Sequence, residues 1–508
     1  MSLEGALSIA SGGLANINRQ LALVSQNVAN AGTPNYAAEI SGQHSLTADG
    51  QGLGVVSDPA TRIIDKGLQD QIIQQNATVA GLQTTQTALQ AIDAVQGTPG
   101  QGNDLASLLG KVQDQFSTLL TDPSNQTQQS AVVSAATNLA QGINTLSDAY
   151  TAQRQAAQND VSDAVDTLNA TLATIGTLSN RIVAQRAGGQ STADLENQRD
   201  AAVQTLSQLV SIKTLEQPNG DLMVVTTAGL ALPTHAQSGQ IRIADATMQP
   251  QASYPGGGVP GITLNGVDVT AQFQSGRIGA DLTLRDSTLP MWQGELDEFA
   301  QTLASRFAAQ GLTLFSDPTG AVPSSAGVPV QTGYVGFAGT IQVNPAVSAT
   351  PSLVRDGTTA IVGSPTGASA FTPNPAGGPA GFTGMISRAL DYALGAQAQN
   401  GVAQPAANAT GLGPAGNLAA PYAAAPTLAG LASTMVASQA QESAGVTSLA
   451  GTEQAVQTTL TTRMAATSGV NMDTEMSTMI GLQNAYGANA RVIAAVQDLF
   501  TELLQAVQ

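Results

Sequence analysis

The side chains that could act in catalysis or metal binding are few and widely spaced in this sequence. The chain has two histidines, His44 and His235, and no cysteine. A metal site needs several donor side chains that converge, and thiolate chemistry needs cysteine. Because the two histidines stand far apart in predicted loops or strands, we expect no metal site and no disulfide.

The remaining candidates for chemistry are a group of acidic residues and a glycine-rich run. Glu295, Asp297 and Glu298 stand close together on a predicted helix, where their spacing predicts a solvated face rather than an acid–base pair. The run at 50–54 lacks the third glycine of a phosphate-binding loop. We therefore expect no catalytic residue and no cofactor, and the sequence predicts a protein that is not an enzyme.

Composition narrows the range of partners. The 508 residues include 17 Lys plus Arg against 35 Asp plus Glu, a net charge of -18. An acidic chain without basic clusters is a poor partner for nucleic acid, because phosphate contacts need Lys and Arg. The sequence lacks the apolar run of about 18 residues that a spanning helix needs, so we expect no membrane insertion. The N-terminus also lacks the basic and apolar regions of a secretory signal.

Apolar residues follow a regular pattern at the N-terminus. They step alternately by four and three positions, which is typical of a coiled-coil seam. Gly32 and Pro34 then predict that the helix ends near Asn30. The seam consists of Leu3, Leu7, Ala10, Leu14, Ile17, Leu21, Val24 and Val28.

A second seam runs through the C-terminus with a seven-residue repeat and a more polar companion track. Asn471 is the predicted N-cap of this helix, and Asp473 lies in its first turn, where the helix dipole favours an acid. Each terminal helix could pack on its own domain, but two matching helices predict that they pair. The predicted self-assembly residues here are Met472, Met476, Met479, Tyr486, Ile493, Phe500, Leu504 and Val507.

Between the terminal helices, helical and β-rich segments alternate. The sequence predicts an α+β multidomain protein with a terminal α-helical coiled coil, a long antiparallel helical trunk and β-rich outer lobes inserted in mid-chain. The predicted domains are a terminal coiled-coil assembly domain of 1–38 and 470–508, a helical trunk domain of 39–215, 285–315 and 427–469, a β-rich domain of 216–284 and a loop-rich outer β domain of 316–426.

Both termini resemble the family of flagellar rod, hook and hook-associated proteins. The run from Ser25 to Tyr36 is similar to the family's Asn-Asn-Ile-Ala-Asn-Ala-Asn-Thr-Pro-Gly-Tyr motif, with departures at Gln26, Gly32 and Asn35. The segments 468–473 and 480–493 look like the family's C-terminal helix. The residues that match the motifs are Asn27, Asn30, Thr33, Pro34, Tyr36, Asn471, Asp473, Gln483, Tyr486 and Asn489.

The helical run before the first β-rich domain separates the branches of this family. Hook and rod proteins pass from the N-terminal helix mainly into β-structure, whereas 108–150 here is similar to the hook-associated branch. The resemblance implies a structural subunit that forms the junction between hook and filament and self-assembles through its terminal helices. A hook or distal-rod axial subunit, and an axial scaffold with a peptidoglycan hydrolase activity, are the alternatives.

The same resemblance implies a location and a set of partners. The protein would be extracellular, in the bacterial flagellum, after type III export without a cleaved signal peptide. Its partners would be copies of itself, the hook protein, a second hook-associated protein next to the filament and a cytoplasmic export chaperone that binds the C-terminal helix. Since ordering a chain costs about 1–2 kcal/mol per residue, we hypothesise that the terminal helices order fully only on assembly.

Overall fold

Long helices dominate the chain, of which a computed structural model describes residues 3–48, 51–97 and 102–507. Single π-helical turns continue two of the short helices, at Leu284–Thr288 and Ala389–Ala393. The α-helices are α1 (Leu3–Asn30), α2 (Lys66–Gln96), α3 (Leu105–Thr121), α4 (Gln126–Ala187), α5 (Ala193–Leu209), α6 (Gly276–Thr283), α7 (Leu289–Ala309), α8 (Pro345–Ala349), α9 (Leu353–Asp356), α10 (Gly384–Arg388), α11 (Leu428–Ser468) and α12 (Met472–Val507).

The strands are short and pair antiparallel with near neighbours, β1 with β4, β2 with β3, and the rest in sequence order. They are β1 (Glu39–Ile40), β2 (Gln43–Ala48), β3 (Gln51–Ser57), β4 (Thr61–Arg62), β5 (Ile212–Glu216), β6 (Leu222–Thr226), β7 (Ile241–Arg242), β8 (Thr263–Leu264), β9 (Val267–Asp268), β10 (Phe315–Ser316), β11 (Gln342–Val343), β12 (Gln397–Gln399), β13 (Val402–Ala403), β14 (Thr410–Leu412) and β15 (Leu418–Ala419). Long helices with small scattered sheets confirm the predicted α+β fold class.

Side-chain caps explain where the trunk helices begin. The Asp65 carboxylate accepts a hydrogen bond from the Leu68 amide at the start of α2, at 3.1 Å. Asn125 does the same for α4 through the Gln128 amide, also at 3.1 Å. Such caps satisfy amides that have no partner inside the helix. The helix α4 then runs for 62 residues, roughly 90 Å, and forms the spine of the molecule.

A large apolar core surrounds α7. Trp292 packs edge-on against Tyr150 of α4, with ring centroids 5.8 Å apart, and Phe307 lies between Phe116 of α3 and Phe315. The same core contains buried residues from the loops between 312 and 412. These loops therefore pack directly on the trunk helices.

A second core covers the other half of α4. Val165 and Leu172 of α4 pack with Leu206 of α5, Val224 of β6 and Ile278 of α6. The short strands between 212 and 264 thus lie against the helices that precede and follow them. The division of the chain into the four predicted domains stays a prediction.

Segment 39–62 differs from the predicted helical trunk, because it forms β1 to β4. In the hairpin of β2 and β3, Gln43 pairs with Ser57 and Leu46 with Gly54. Val55 and Val56 favour strands, and Pro59 interrupts the backbone hydrogen bonds that a continuous helix would need. The helical part of this region begins only at Lys66.

The acidic residues of α7 are buried, and the predicted solvated face is wrong. Glu295, Asp297 and Glu298 are 5%, 1% and 4% exposed. The helix is covered on every side, because α4, α11 and the loops after it all pack around it. Asp297 and Glu298 accept hydrogen bonds from those loops, whereas Glu295 accepts one from Gln439 of α11.

Candidate assembly site at the base of the terminal helices

The two terminal helices pair with each other in antiparallel orientation. Near one end of the pair, the Asn27 amide of α1 donates to the Glu475 carboxylate of α12 at 2.9 Å. Further along, Gly13 faces Asn489, and a β-carbon at Gly13 would lie 3.2 Å from the Asn489 amide oxygen. The two contacts are 14 residues apart on each helix, from Asn27 back to Gly13 on α1 and from Glu475 forward to Asn489 on α12. Both contacts therefore belong to one antiparallel register.

The predicted seam of α1 lies on the side of the helix that is covered. Ala10, Ile17 and Val24 are buried. The other seam residues are partly buried: Leu3, Leu7, Leu14, Leu21 and Val28. The structure therefore brings the whole N-terminal set onto one face. Their role in self-assembly stays a prediction.

The inner face of α12 differs by one residue from the predicted companion track. Met479, Ile493 and Phe500 of the predicted seam are partly buried. Between them lies a second track of covered residues, each one position before the predicted companion residue. The seven-residue spacing is therefore kept. The members of this second track that are buried or partly buried are Glu475, Leu482, Asn489 and Val496.

The rest of the predicted C-terminal set is exposed, together with further apolar residues of α12. Val507 lies within α12, and its side chain falls outside the described residues. A helix that keeps apolar side chains in solvent after pairing has surface left for another partner. We define the outer apolar surface of α12 as Met472, Met476, Ile480, Tyr486, Val492, Leu499, Leu503 and Leu504.

Asn27 is the centre of a hydrogen-bond network where α1 ends. Its side-chain amide donates to the Glu39 carbonyl and to the Glu475 carboxylate, both at 2.9 Å. Its oxygen accepts from the Glu39 amide at 3.0 Å and from the Tyr36 hydroxyl at 3.2 Å. One buried side chain thus joins α1, the turn after it and the first turn of α12.

The turn from 31 to 38 is fastened to the trunk by Asn197 of α5. The Asn197 amide donates to the Ala37 carbonyl and to the Glu39 carboxylate, both at 3.1 Å. The Ala38 amide donates to the Ser468 carbonyl, at the end of α11, at 2.8 Å. The turn therefore holds the terminal helix pair against the trunk at two points.

Carboxylates concentrate around this turn. Burial, and then the charge of Asp194, raise the pKa of Glu39. Burial also raises the pKa of Tyr36, with a further contribution from Glu39, so the phenol remains a hydrogen-bond donor. The Arg62 guanidinium, which is largely buried, pairs with Glu196 at 3.1 Å and with Asp200. The site is thus a polar anchor in which carboxylates outnumber the Arg62 guanidinium.

The other motif residues have local roles. Asn30 donates to the Gln26 carbonyl at 3.0 Å, and the Thr33 hydroxyl donates to the Asn30 side chain at 3.2 Å. Pro34 follows in the exposed turn. At the start of α12, Asn471 accepts from the Asp473 and Thr474 amides, as an N-cap does. Gln483 is exposed on α12.

Glu39, Arg62, Asn197 and Glu475 belong to this anchor, and the sequence analysis did not identify them as site residues. No heptad or motif identifies them, because their partners lie more than 100 residues away, with the exception of Asn27 and Glu39, which are 12 residues apart. Only a three-dimensional arrangement reveals that Asn27 and Glu475 meet. Glu475 lies in the first turn of α12, where the helix dipole favours an acid, but this local signal does not identify its partner.

The described residues show no centre for metal chemistry. No group of three or more histidines or acids in that part of the chain could hold a metal ion. His44 pairs with Asp58 at 3.1 Å on the exposed hairpin, and His235 lies 3.9 Å from Asp221. Among the described helices, none combines the length and apolarity of a bilayer crossing.

Comparisons with known proteins agree with the terminal motifs. Residues 89–321 match the family model of the flagellar hook-associated protein FlgK helical domain. Residues 462–506 match the model of the flagellar basal body rod FlgEFG protein C-terminal region. No curated protein sequence matches the chain significantly.

One solved structure that matches is the flagellar hook junction protein FlgK from Burkholderia pseudomallei. It has 23% sequence identity and a TM-score of 0.40, over 50% of this chain and 45% of that chain. The match thus spans less than half of that protein's length. The two family models, at 89–321 and 462–506, agree with the resemblance seen at the termini, and these two parts of the chain are similar to flagellar axial proteins.

Proposed function

We propose that this protein is the structural subunit of the junction between flagellar hook and filament, the role of hook-associated protein 1. The observation that carries the proposal is the antiparallel pair of α1 and α12, which leaves the outer apolar surface of α12 in solvent. Apolar side chains on an already paired helix favour burial against further copies of the same pair. The hook-associated helical domain at 89–321 supports the junction over other positions along the axis.

The partners follow from that position. The subunit would contact copies of itself laterally, the hook protein on one side and a second hook-associated protein next to the filament on the other. We further propose type III export without a cleaved signal peptide, and a cytoplasmic chaperone that covers α12 before assembly. The outer apolar surface of α12 supports the chaperone, since such a surface aggregates if left uncovered.

A hook or distal-rod subunit is the second candidate. The match at 462–506 supports it, because that model describes rod and hook-type C-terminal regions. The helical domain favours the junction. We propose a structural rather than an enzymatic role, and the hydrolase alternative has no observation in its favour.

Immunogold labelling tests the position. An epitope inserted between Gly377 and Gly378, in the loop region at 373–383, should label a narrow band where hook meets filament on isolated flagella. Label along the whole hook would instead assign the chain to the hook subunit. The matched control is the untagged protein, which should give no band.

A further inference from the structure

A cavity of about 400 Å³ with both polar and apolar walls opens between α2, α4 and α6, and its lining contains no residue of α1 or α12. Its charged residues are Asp160 of α4 and Arg277 and Asp281 of α6. Gln153 and Gln208 contribute neutral polar side chains. The cavity is large enough for a small organic molecule.

Asp281 is the unusual group in this cavity. The residue is 1% exposed, and its Oδ2 atom has no hydrogen-bond partner in the part of the chain that the structure describes. The nearest cationic atom is the Arg277 Nε, 4.0 Å away, which is beyond hydrogen-bond distance. A buried carboxylate oxygen without a donor is costly, so this arrangement needs a ligand or a proton.

The charges of the cavity balance only while Asp281 is protonated. Arg277 is already engaged, since its guanidinium contacts the Asp160 carboxylate at 3.1 Å. When Asp281 is ionised, two carboxylates and one guanidinium leave one negative charge unmatched. A single added cation would balance that charge and give Asp281 the donor that it lacks.

The walls of the cavity suggest the shape of that cation. Leu209 and Leu284 are buried apolar residues of the lining, and Ala80 and Ala88 of α2 are partly buried there. An apolar wall beside an unpaired carboxylate suits a ligand with a short alkyl chain and a charged head. A bare inorganic ion would leave this apolar surface unused.

We propose that the cavity between α2, α4 and α6 binds a guanidinium or ammonium group on an alkyl chain, with Asp281 as its direct partner. The group could come from a free alkyl amine or from a Lys or Arg side chain of a neighbouring protein. Both sources present the same chemistry to Asp281. The site is independent of the outer apolar surface of α12 and of the proposed position at the junction.

Binding should release a proton. Burial, and then the charge of Asp160, raise the pKa of Asp281 to about 8, while Arg277 acts in the opposite direction. Among the described residues that line the cavity, Asp160 and Arg277 are the other charged groups, and α2 and α5 contribute neutral glutamines and threonines. In the empty cavity at about pH 7 the carboxyl is therefore mostly protonated, and a bound cation ionises it.

Isothermal titration calorimetry of the full chain with agmatine tests the proposal. We expect saturable 1:1 binding, with an enthalpy that differs between phosphate and HEPES buffer at about pH 7 because a proton is released. Asp281→Asn should weaken binding by about tenfold or more and remove the buffer dependence. The matched control Asp163→Asn, an exposed carboxylate on α4 outside the cavity, should change neither.

A second titrant identifies the source of the group. N-acetyl-arginine amide represents a side chain on a partner, and agmatine represents a free amine. Saturable binding of either titrant supports the site. The titrant that binds more tightly than the other indicates whether the cationic group comes from a partner side chain or from a free amine. Absence of saturable binding for both at millimolar concentration, or equal binding by the folded Asp281→Asn variant, would overturn the proposal. Circular dichroism of the variant checks that it is folded.

Discussion

Replacing Asp297 by alanine should lower the free energy of unfolding by about 3 kcal/mol, because one buried and one partly buried backbone amide lose their acceptor. The Asp297 carboxylate accepts hydrogen bonds from the Gly336 and Ala338 amides, each at 2.8 Å, and from Gln293 at 3.1 Å. It thereby fastens the loop at 334–341 to α7. Urea unfolding measures the loss, and Asp114→Ala, at an exposed position of α3, should stay within about 0.5 kcal/mol of the parent.

The pH dependence gives a second check on Asp297. Burial raises its pKa to about 7, although the three hydrogen bonds act in the opposite direction. The folded pKa lies above the unfolded value of about 3.9, so its contribution to stability is full below about pH 4 and is lost as pH rises to 7. Asp297→Asn removes this titration. The loss in free energy of unfolding caused by Asp297→Asn should therefore be larger at pH 5 than at pH 8. A loss that grows with pH would contradict the role of burial.

Replacing Asn27 by alanine should release the terminal helix pair from the trunk. The change removes two donated and two accepted hydrogen bonds and leaves the buried Glu39 amide without an acceptor. We expect a local loss of about 2–4 kcal/mol. Hydrogen exchange should become faster in the turn at 31–38 and in the first turns of α12, and stay slow in the buried middle of α4.

Asn16 supplies the matched control for Asn27. Asn16 is also buried on α1, but its side-chain oxygen has no hydrogen-bond partner among the described residues. Asn16→Ala should therefore leave exchange in the turn unchanged. Equal effects of the two substitutions would mean that Asn27 acts through helix packing alone and that the hydrogen-bond network is not the anchor.

Local signals predicted the helix ends well. Gly32 and Pro34 placed the end of the first helix near Asn30, and α1 ends at that residue. Asn471 was the predicted N-cap of the last helix, and its side chain accepts the expected amides. These signals succeed because capping and proline geometry act over a few residues.

The register of α12 was less predictable. A seven-residue repeat fixes one track of a seam, here Met479, Ile493 and Phe500, but the second track can lie either three or four residues away. The sequence favoured Met476 and Leu504, which are exposed, whereas Leu482 and Val496 face α1. The position of α1 decides which of the two tracks is covered, so a local sequence pattern could not predict it.

The burial of the acidic residues of α7 was also not predictable from local sequence. Helical spacing indicates which residues share a face, but not how many neighbours cover the helix. Glu298 is satisfied by the Asn408 amide at 2.7 Å and by the Tyr334 hydroxyl, which lie 110 and 36 residues away. Because those donors come from distant loops, the sequence around 295–298 could not reveal that the acids are buried.

The proposed function requires that the outer apolar surface of α12 becomes buried between subunits in the flagellum. The chain has no cysteine, so single introduced cysteines can be labelled with maleimide without background. Leu499→Cys lies on that surface, at a position 50% exposed, and Val362→Cys is the matched control in the loop region, at a position 94% exposed. We expect Leu499→Cys to be labelled in the free monomer and protected in isolated flagella, with Val362→Cys labelled in both. Equal labelling of Leu499→Cys in monomer and flagella would contradict assembly through this surface.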